Sequence, residues 1–259
     1  ENVVFHGGLK VFSTLDTKAQ AFAVQALGQG LGRLDDLMGI GKREEIRPQG
    51  ALVSVETGSG AIRALVGGRD YFTSEFNRAV NSRRQAGSGF KPFVYYTAFK
   101  DKGLHPGSIM TDKPVIIPVS GAPDWEPQNF ENRFSGNMAL KTALTRSVNT
   151  IAAQLVEMTG PGAVIDTARQ CGLKSDLKEV YSIALGTSGV TVLEMASAFS
   201  VFASMGIRHD PFLVKRVEDP LGRILFEHIV QDKKVLEPAL AYQVVDMMRA
   251  VVDTGSGRS

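Results

Sequence analysis

The sequence predicts an α/β fold, and three observations carry that prediction. Residues 51–68 read as a β-hairpin, residues 213–226 read as a second, smaller one, and from residue 88 onward the apolar spacing is mainly helical. With 259 residues the chain can form one large domain or two small ones. Its 43% hydrophobic and 22% charged residues match ordinary globular usage and argue against disorder or a fibre.

The elements follow in order. Ser13-Thr14-Leu15-Asp16 supplies N-cap side chains, and Ala19, Phe22, Ala23, Ala26 and Leu27 recur at helical spacing, so residues 17–37 predict an amphipathic helix. Gly39, Gly41 and the charge run Lys42-Arg43-Glu44-Glu45 predict a solvated loop. The runs Ala51–Val55 and Ala61–Val66 flank a connection containing Gly58 and Gly60, which makes the first hairpin. A lone hairpin is marginal in water, so this one should edge a larger sheet. Phe90–Ala98 is too apolar for a surface helix and should be buried. Residues 106–137 hold five of the eleven prolines and the only tryptophan, Trp125, and predict a long ordered excursion. Helices are predicted over 138–144, 150–158, 163–170, 191–205 and 238–252, with Thr191 and Glu194 at capping-box spacing. Leu213–Val217 and Arg223–Phe226 form the second hairpin around Pro220-Leu221-Gly222.

Composition removes several classes of function. The net charge is +2 and no basic stripe with interleaved aromatics occurs, so no nucleic-acid partner is expected. No apolar run reaches the roughly 18 residues of a membrane-spanning helix. The single cysteine, Cys171, allows no internal disulfide and no thiolate metal cluster, and is expected to be a small buried side chain. His6, His105, His209 and His228 show no metal-ligand pairing and are expected in loops or at the surface. No metal and no cofactor is therefore expected. The nucleophile-elbow pattern fails at both Ser88 and Ser188, and no phosphate-binding glycine loop is present.

What remains is a serine paired with a lysine. In Ser88-Gly89-Phe90-Lys91 the two polar side chains lie one helical turn apart on one face. A buried lysine with a lowered pKa can act as the base that a serine nucleophile requires. With 18 serines and 13 lysines, chance alone supplies about one such match. A second one, Ser175-Asp176-Leu177-Lys178, does occur, and Ser147-Val148-Asn149 competes with Ser135-Gly136-Asn137 as a Ser-x-Asn string. Spacing alone does not choose between them.

A longer pattern does. Phe76–Ala79 with Arg84–Phe93, then Trp125-Glu126-Pro127-Gln128-Asn129, then Ala139–Thr150, then Ala184–Ala196 resemble, in order, the transpeptidase domain of class A penicillin-binding proteins. Gly7–Asp16 resembles the approach to that domain. The resemblance selects Ser88 over Ser175 and Ser147 over Ser135. It departs at Ala86, often Pro in the family, and at Gly89, often Ser or Thr. Most of all, the family's third motif, Lys-Thr/Ser-Gly, occurs nowhere in these residues.

The resemblance implies the penicillin-binding protein transpeptidase and serine β-lactamase-like fold, an antiparallel sheet flanked by helices. Residues 1–50 would be a linker and N-terminal helix, and 51–259 the transpeptidase domain, with its C-terminal strands absent from this chain. The hairpin at 51–68 would then keep an open edge, and residues 1–259 would neither fold nor act alone. The implied activity is D,D-transpeptidation of peptidoglycan stem peptides, with β-lactams as covalent inhibitors. Ser88 would be the nucleophile, Lys91 its base, Ser147 a proton relay and Asn149 a holder of the donor peptide. Trp125 and Asn129 would line the donor groove or anchor a loop, and Thr187 and Ser188 would touch substrate or cap the following helix. Arg78, Arg83 and Arg84 would act on Lys91 or on an anionic substrate, or be surface charge. Partners would be the stem peptides, β-lactams and the missing C-terminal segment, on the outer face of the cytoplasmic membrane with an anchor upstream. The alternatives are a carboxypeptidase, a β-lactamase-like hydrolase or a non-catalytic sensor module. A hydrolase would need a Glu-x-x-Leu-Asn loop to activate water, and no such string occurs.

Overall fold

A computed structural model describes residues 7–40, 47–119, 121, 123–130 and 132–258. In chain order the elements are β1 (Lys10–Ser13), α1 (Thr17–Leu37), β2 (Leu52–Val55), β3 (Ile62–Val66), α2 (Arg78–Asn81), β4 (Arg84–Gln85) and α3 (Lys91–Lys102). Then come β5 (Ile109–Asp112), β6 (Gly136–Ala139), α4 (Leu140–Thr145), α5 (Asn149–Thr159), α6 (Pro161–Gln170), β7 (Gly189–Val190) and α7 (Val192–Ala203). The chain continues through β8 (Ile207–Arg208), β9 (Val214–Glu218), β10 (Ile224–Glu227), β11 (Lys233–Lys234) and α8 (Pro238–Thr254). Two compact units share these elements. One comprises Glu1–Arg83, Thr191–Ser200 and Arg208–Lys233, the other Arg84–Val190, Val201–Ile207 and Lys234–Ser259. The charge run at 42–45 and His6 lie outside the described residues.

In the first unit, α1 begins where predicted because Asp16 accepts hydrogen bonds from the N–H groups of Lys18 and Ala19. β2 and β3 pair antiparallel, Leu52 opposite Val66 and Ser54 opposite Ala64. The expected open edge is covered on the β3 side. Ile62 N–H donates to the Phe212 carbonyl, Asp16 N–H to the Arg63 carbonyl, and Gln20 exchanges two hydrogen bonds with the backbone of Leu65 at 2.9 and 3.0 Å. The second hairpin forms as β9 and β10, and β1 adds to the free side of β9, giving an antiparallel order β1-β9-β10. That third strand went unread because four residues are too few to show a period. The capping box at Thr191 and Glu194 is present in both directions. Of the two placements expected for His209 the loop is the one found, just after β8, and the ring is buried there between the Thr57 carbonyl and the Asp232 carboxylate.

The second unit is built on α3. Phe90, Phe93, Val94, Tyr95, Tyr96, Ala98 and Phe99 are all buried, as the apolar run predicts, and the Phe93 ring is tilted against those of Phe90 and Phe202, with centroids 5.1 and 5.6 Å away. Helices α5, α6 and α8 pack against it. Cys171 is buried. The helix expected from Met138 starts at Leu140 instead, since Met138 and Ala139 pair as strand with Met110 and Ile109. The apolar spacing of 138–144 suits either state, and the β5 partner decides it. The proline-rich excursion is thus tied at both ends by β5 and β6, and within it Ile117 and Trp125 exchange two backbone hydrogen bonds of 2.9 Å.

Candidate active site

The residues around Ser88 are placed by a close backbone contact. β4 pairs with β7, Gln85 opposite Gly189, and one turn on the Gly87 N–H donates to the Gly186 carbonyl. Gly87 and Gly186 both have φ near +60°, and a Cβ on Gly186 would lie 2.3 Å from the Gly87 carbonyl oxygen. Only glycine permits that approach. Ser88 then sits in a 3-10 turn, Gly87–Phe90, that leads directly into α3. Pro92 is in the first turn of α3, where its missing N–H costs no helical bond.

Ser147 owes its position to the end of α4. Its N–H bonds the Leu144 carbonyl, and the Val148 N–H bonds the Ala143 carbonyl, the paired pattern of a Schellman motif. The residue at the left-handed position of that motif is usually glycine, yet here it is Ser147 with φ 56°. A side chain is kept where backbone conformation favours none.

Next, α5 begins at Asn149, preceded by Val148, which offers no side-chain cap. Asn129 fills that role from the excursion: its Oδ1 accepts from the N–H groups of Asn149 and Thr150.

These pieces converge on the Lys91 amine. Lys91 is fully buried, and Nζ lies 2.6 Å from the Ser147 carbonyl, 2.9 Å from Ser147 Oγ and 2.8 Å from Asn149 Oδ1. Ser147 Oγ in turn lies 2.9 Å from Ser88 Oγ. The expected link of Lys91 to Ser88 along one helix face thus runs through the Ser147 hydroxyl. Burial lowers the Lys91 pKa to about 8, because desolvation disfavours the ammonium form. The rival strings are placed differently, although the Ser135 N–H donates to Asp112 and Ser135 borders the cavity beside Ser147. In one, Lys178 pairs with Asp176, and in the other, Asn137 accepts from Thr111 across β5 and β6.

Residues 50–259 match the family described as penicillin binding protein transpeptidase domain. The chain belongs to this family. It is 40% identical over 222 residues to penicillin-binding protein 1A of Aquifex aeolicus (strain VF5), covering 84% of this chain and 30% of that protein. It is 36% identical over 280 residues to penicillin-binding protein 1A of Neisseria lactamica, covering 100% of this chain and 35% of that one. The chain therefore spans about a third of the length of these curated relatives. The crystal structure of penicillin-binding protein 1A from Haemophilus influenzae shares the fold, with a TM-score of 0.87 at 22% identity over 99% of this chain and 56% of that one. PonA1 from Mycobacterium tuberculosis, solved in complex with penicillin V, superposes with a TM-score of 0.81 at 27% identity over 97% of this chain and 66% of that one.

Within this penicillin-binding protein transpeptidase domain the other expected site residues hold the framework. Trp125 pins the excursion through its backbone pair with Ile117. Asn129 spends its whole amide on protein groups: Nδ2 donates to Asp112 and to the Arg133 carbonyl, while Oδ1 serves α5. Ser188 is buried and accepts from the Lys178 N–H, Thr187 Oγ1 pairs with Ser182 Oγ, and the cap of α7 is made by Thr191 with Glu194. Burial lowers the Lys91 pKa, and Arg78 bonds the Phe76 carbonyl and Ser74. Two participants were not legible in the sequence. Gln128 enters by its carbonyl, which accepts from Asn149 Nδ2, and backbone groups leave no side-chain signal. Asp112 is buried at the end of β5, with no motif around it. A cavity of about 240 Å³ opens beside Ser147, bordered by Phe130, Arg133 and Arg146.

Proposed function

We propose that this domain is a peptidoglycan D,D-transpeptidase working through an acyl-enzyme on Ser88, and that β-lactams inhibit it by acylating the same oxygen. The observation that carries this reading is the continuous chain of hydrogen bonds from Ser88 Oγ through Ser147 Oγ to the buried Lys91 amine. Neutral Lys91 takes a proton from Ser147 as Ser147 takes one from Ser88, and Ser88 Oγ bonds to the carbonyl carbon of the D-Ala-D-Ala stem peptide. The amide C–N bond breaks, the proton returns through Ser147 to the leaving nitrogen, and the terminal D-Ala departs. An amine of a neighbouring stem then attacks the ester, forms the crosslink and frees Ser88. Asn149 holds the donor peptide, and the Ser88 backbone N–H supplies one donor to the developing oxyanion.

With a β-lactam the ring C–N bond opens and no fragment leaves, so the adduct persists. No Lys-Thr/Ser-Gly string occurs among the 259 residues, and the curated relatives are about three times as long. We infer that the complete site draws on residues beyond these and that the protein acts on the outer face of the cytoplasmic membrane. No described helix is long and apolar enough to cross a membrane.

Intact-mass measurement of the whole protein with a fluorescent penicillin tests the reading. Wild type should gain the mass of one antibiotic and hold it for hours, whereas Ser88→Ala should gain none. Rapid loss of the label would indicate a hydrolase, and no covalent mass at all would indicate a sensor or scaffold; either result overturns the proposal.

A further inference from the structure

We propose that Asp112 is a positioning residue for this site, acting through Asn129 on the turn and helix that carry Ser147 and Asn149. The inference rests on the reading of Ser88, Lys91, Ser147 and Asn149 given above. Asp112 is only 2% exposed, and its carboxylate accepts three hydrogen bonds: Oδ1 from Asn129 Nδ2 at 2.8 Å and from Thr150 Oγ1 at 2.5 Å, Oδ2 from the Ser135 N–H at 2.8 Å. A buried carboxylate is expensive to desolvate, and three donors offset that cost without requiring a cation.

The carboxylate supplies something a carboxamide or hydroxyl does not, namely a single orientation for the Asn129 amide. Both Nδ2 hydrogens meet acceptors that cannot donate, Asp112 and the Arg133 carbonyl. A flipped amide would press its oxygen against the Asp112 carboxylate and its hydrogens against the N–H groups of Asn149 and Thr150. The oxygen must therefore face α5, where it receives those two N–H groups.

That contact fixes the first residue of α5. From there Asn149 Oδ1 reaches Lys91 Nζ and Nδ2 reaches the Gln128 carbonyl, both at 2.8 Å. Asp112 also grips the next residue directly, through the Thr150 hydroxyl. One buried charge thus sets two successive residues at the start of the helix, one of which is a ligand of the Lys91 amine. Ordered polar chains of this kind strengthen one another in a low-dielectric interior.

The test is the acylation of the intact protein by a fluorescent penicillin, separating the pre-covalent affinity from the acylation rate constant. Asp112→Asn and Asn129→Asp should each slow acylation at least tenfold (about 1.4 kcal/mol) with little change in pre-covalent affinity. The pair D112N/N129D restores an amide facing a carboxylate and should regain at least fivefold over the slower single variant. Asn129→Ser, which abolishes the tie to Asp112 with a small side chain, should also acylate slowly while its thermal unfolding stays cooperative, so the question survives if D112N does not fold. Single variants within twofold of wild type would overturn the proposal, as would a double variant that shows only the product of the two losses. If wild type forms no Ser88 adduct, the reading of the site has failed instead, and this one falls with it.

Discussion

Lys91 Nζ bonds the backbone carbonyl of Ser147 at 2.6 Å and lies 2.9 Å from the hydroxyl of the same residue. The Ser147 carbonyl and Asn149 Oδ1 can only accept, so each takes an N–H of the amine whatever its charge. The third position on nitrogen faces Ser147 Oγ. In the ammonium form it donates to that hydroxyl, and Ser147 then donates to Ser88. In the neutral form it accepts, so Ser147 turns toward Lys91 and Ser88 becomes the donor. Losing one proton reverses the whole chain and leaves Ser88 ready to release its own.

Acylation should therefore follow the titration of Lys91. Its pKa is held near 8 by burial, so the second-order rate with a β-lactam should rise about tenfold per pH unit below that value and level off above it. Stopped-flow rates between pH 6 and 10 check this, and a flat profile would contradict it. Stability should move the same way. The unfolded chain, with an ordinary value of 10.5, binds the extra proton between about pH 8 and 10.5, so unfolding free energy rises with pH across that window. The full difference is on the order of 3 kcal/mol.

Ser147 keeps a Cβ in a left-handed conformation, which costs about 1 kcal/mol relative to glycine. Ser147→Gly and Ser147→Ala both remove the hydroxyl, but only the alanine retains that strain. Thermal or urea unfolding should show the glycine variant more stable than the alanine variant by about 1 kcal/mol, with acylation at least a hundredfold slower in both.

Gly186→Ala should act on Ser88 from the turn that precedes β7. Its Cβ would overlap the Gly87 carbonyl, and the residue has φ +65°. We expect a loss of about 2 kcal/mol in unfolding free energy together with slower labelling of Ser88 in the fraction that remains folded. Labelling at the wild-type rate would mean that the Gly87 turn tolerates displacement.

Tyr95 offers a stabilising change. Its hydroxyl is buried in the helical core without a hydrogen-bond partner among the described residues, and burial pushes its pKa far up. Tyr95→Phe removes an unsatisfied polar group at little change in volume and should raise unfolding free energy by about 1 kcal/mol, measured by denaturant titration. A loss of stability would point to a bonded hydroxyl.

The sequence was most legible where one element speaks for itself. α1, the β2–β3 hairpin, the buried run of α3 and the Thr191 cap each follow from local spacing or a capping side chain. Met138 and Ala139 were misread because their state depends on a partner strand nearly thirty residues away. The site was legible in part, since Ser88, Lys91, Ser147 and Asn149 all lie in quotable strings. The hydrogen-bond order among them was not, because it arises from the Schellman turn at Ser147 and from Asn129, outside the Ser-x-Asn string. Asp112, and the carbonyls of Gln128 and Ser147, carry no pattern at all.

Gln20 has a consequence of a different kind. It presents to Leu65 one N–H and one C=O at hydrogen-bonding distance, the same pair of groups that a neighbouring strand would offer. A primary amide is the smallest side-chain mimic of a peptide bond, and here it sits where a further chain could otherwise add to β3. The ladder is ended by a cap borrowed from a helix. Together with the contacts of Phe212 and Asp16 this side chain closes the edge, and a change such as Gln20→Leu would uncover its Leu65 portion without removing anything from the active site.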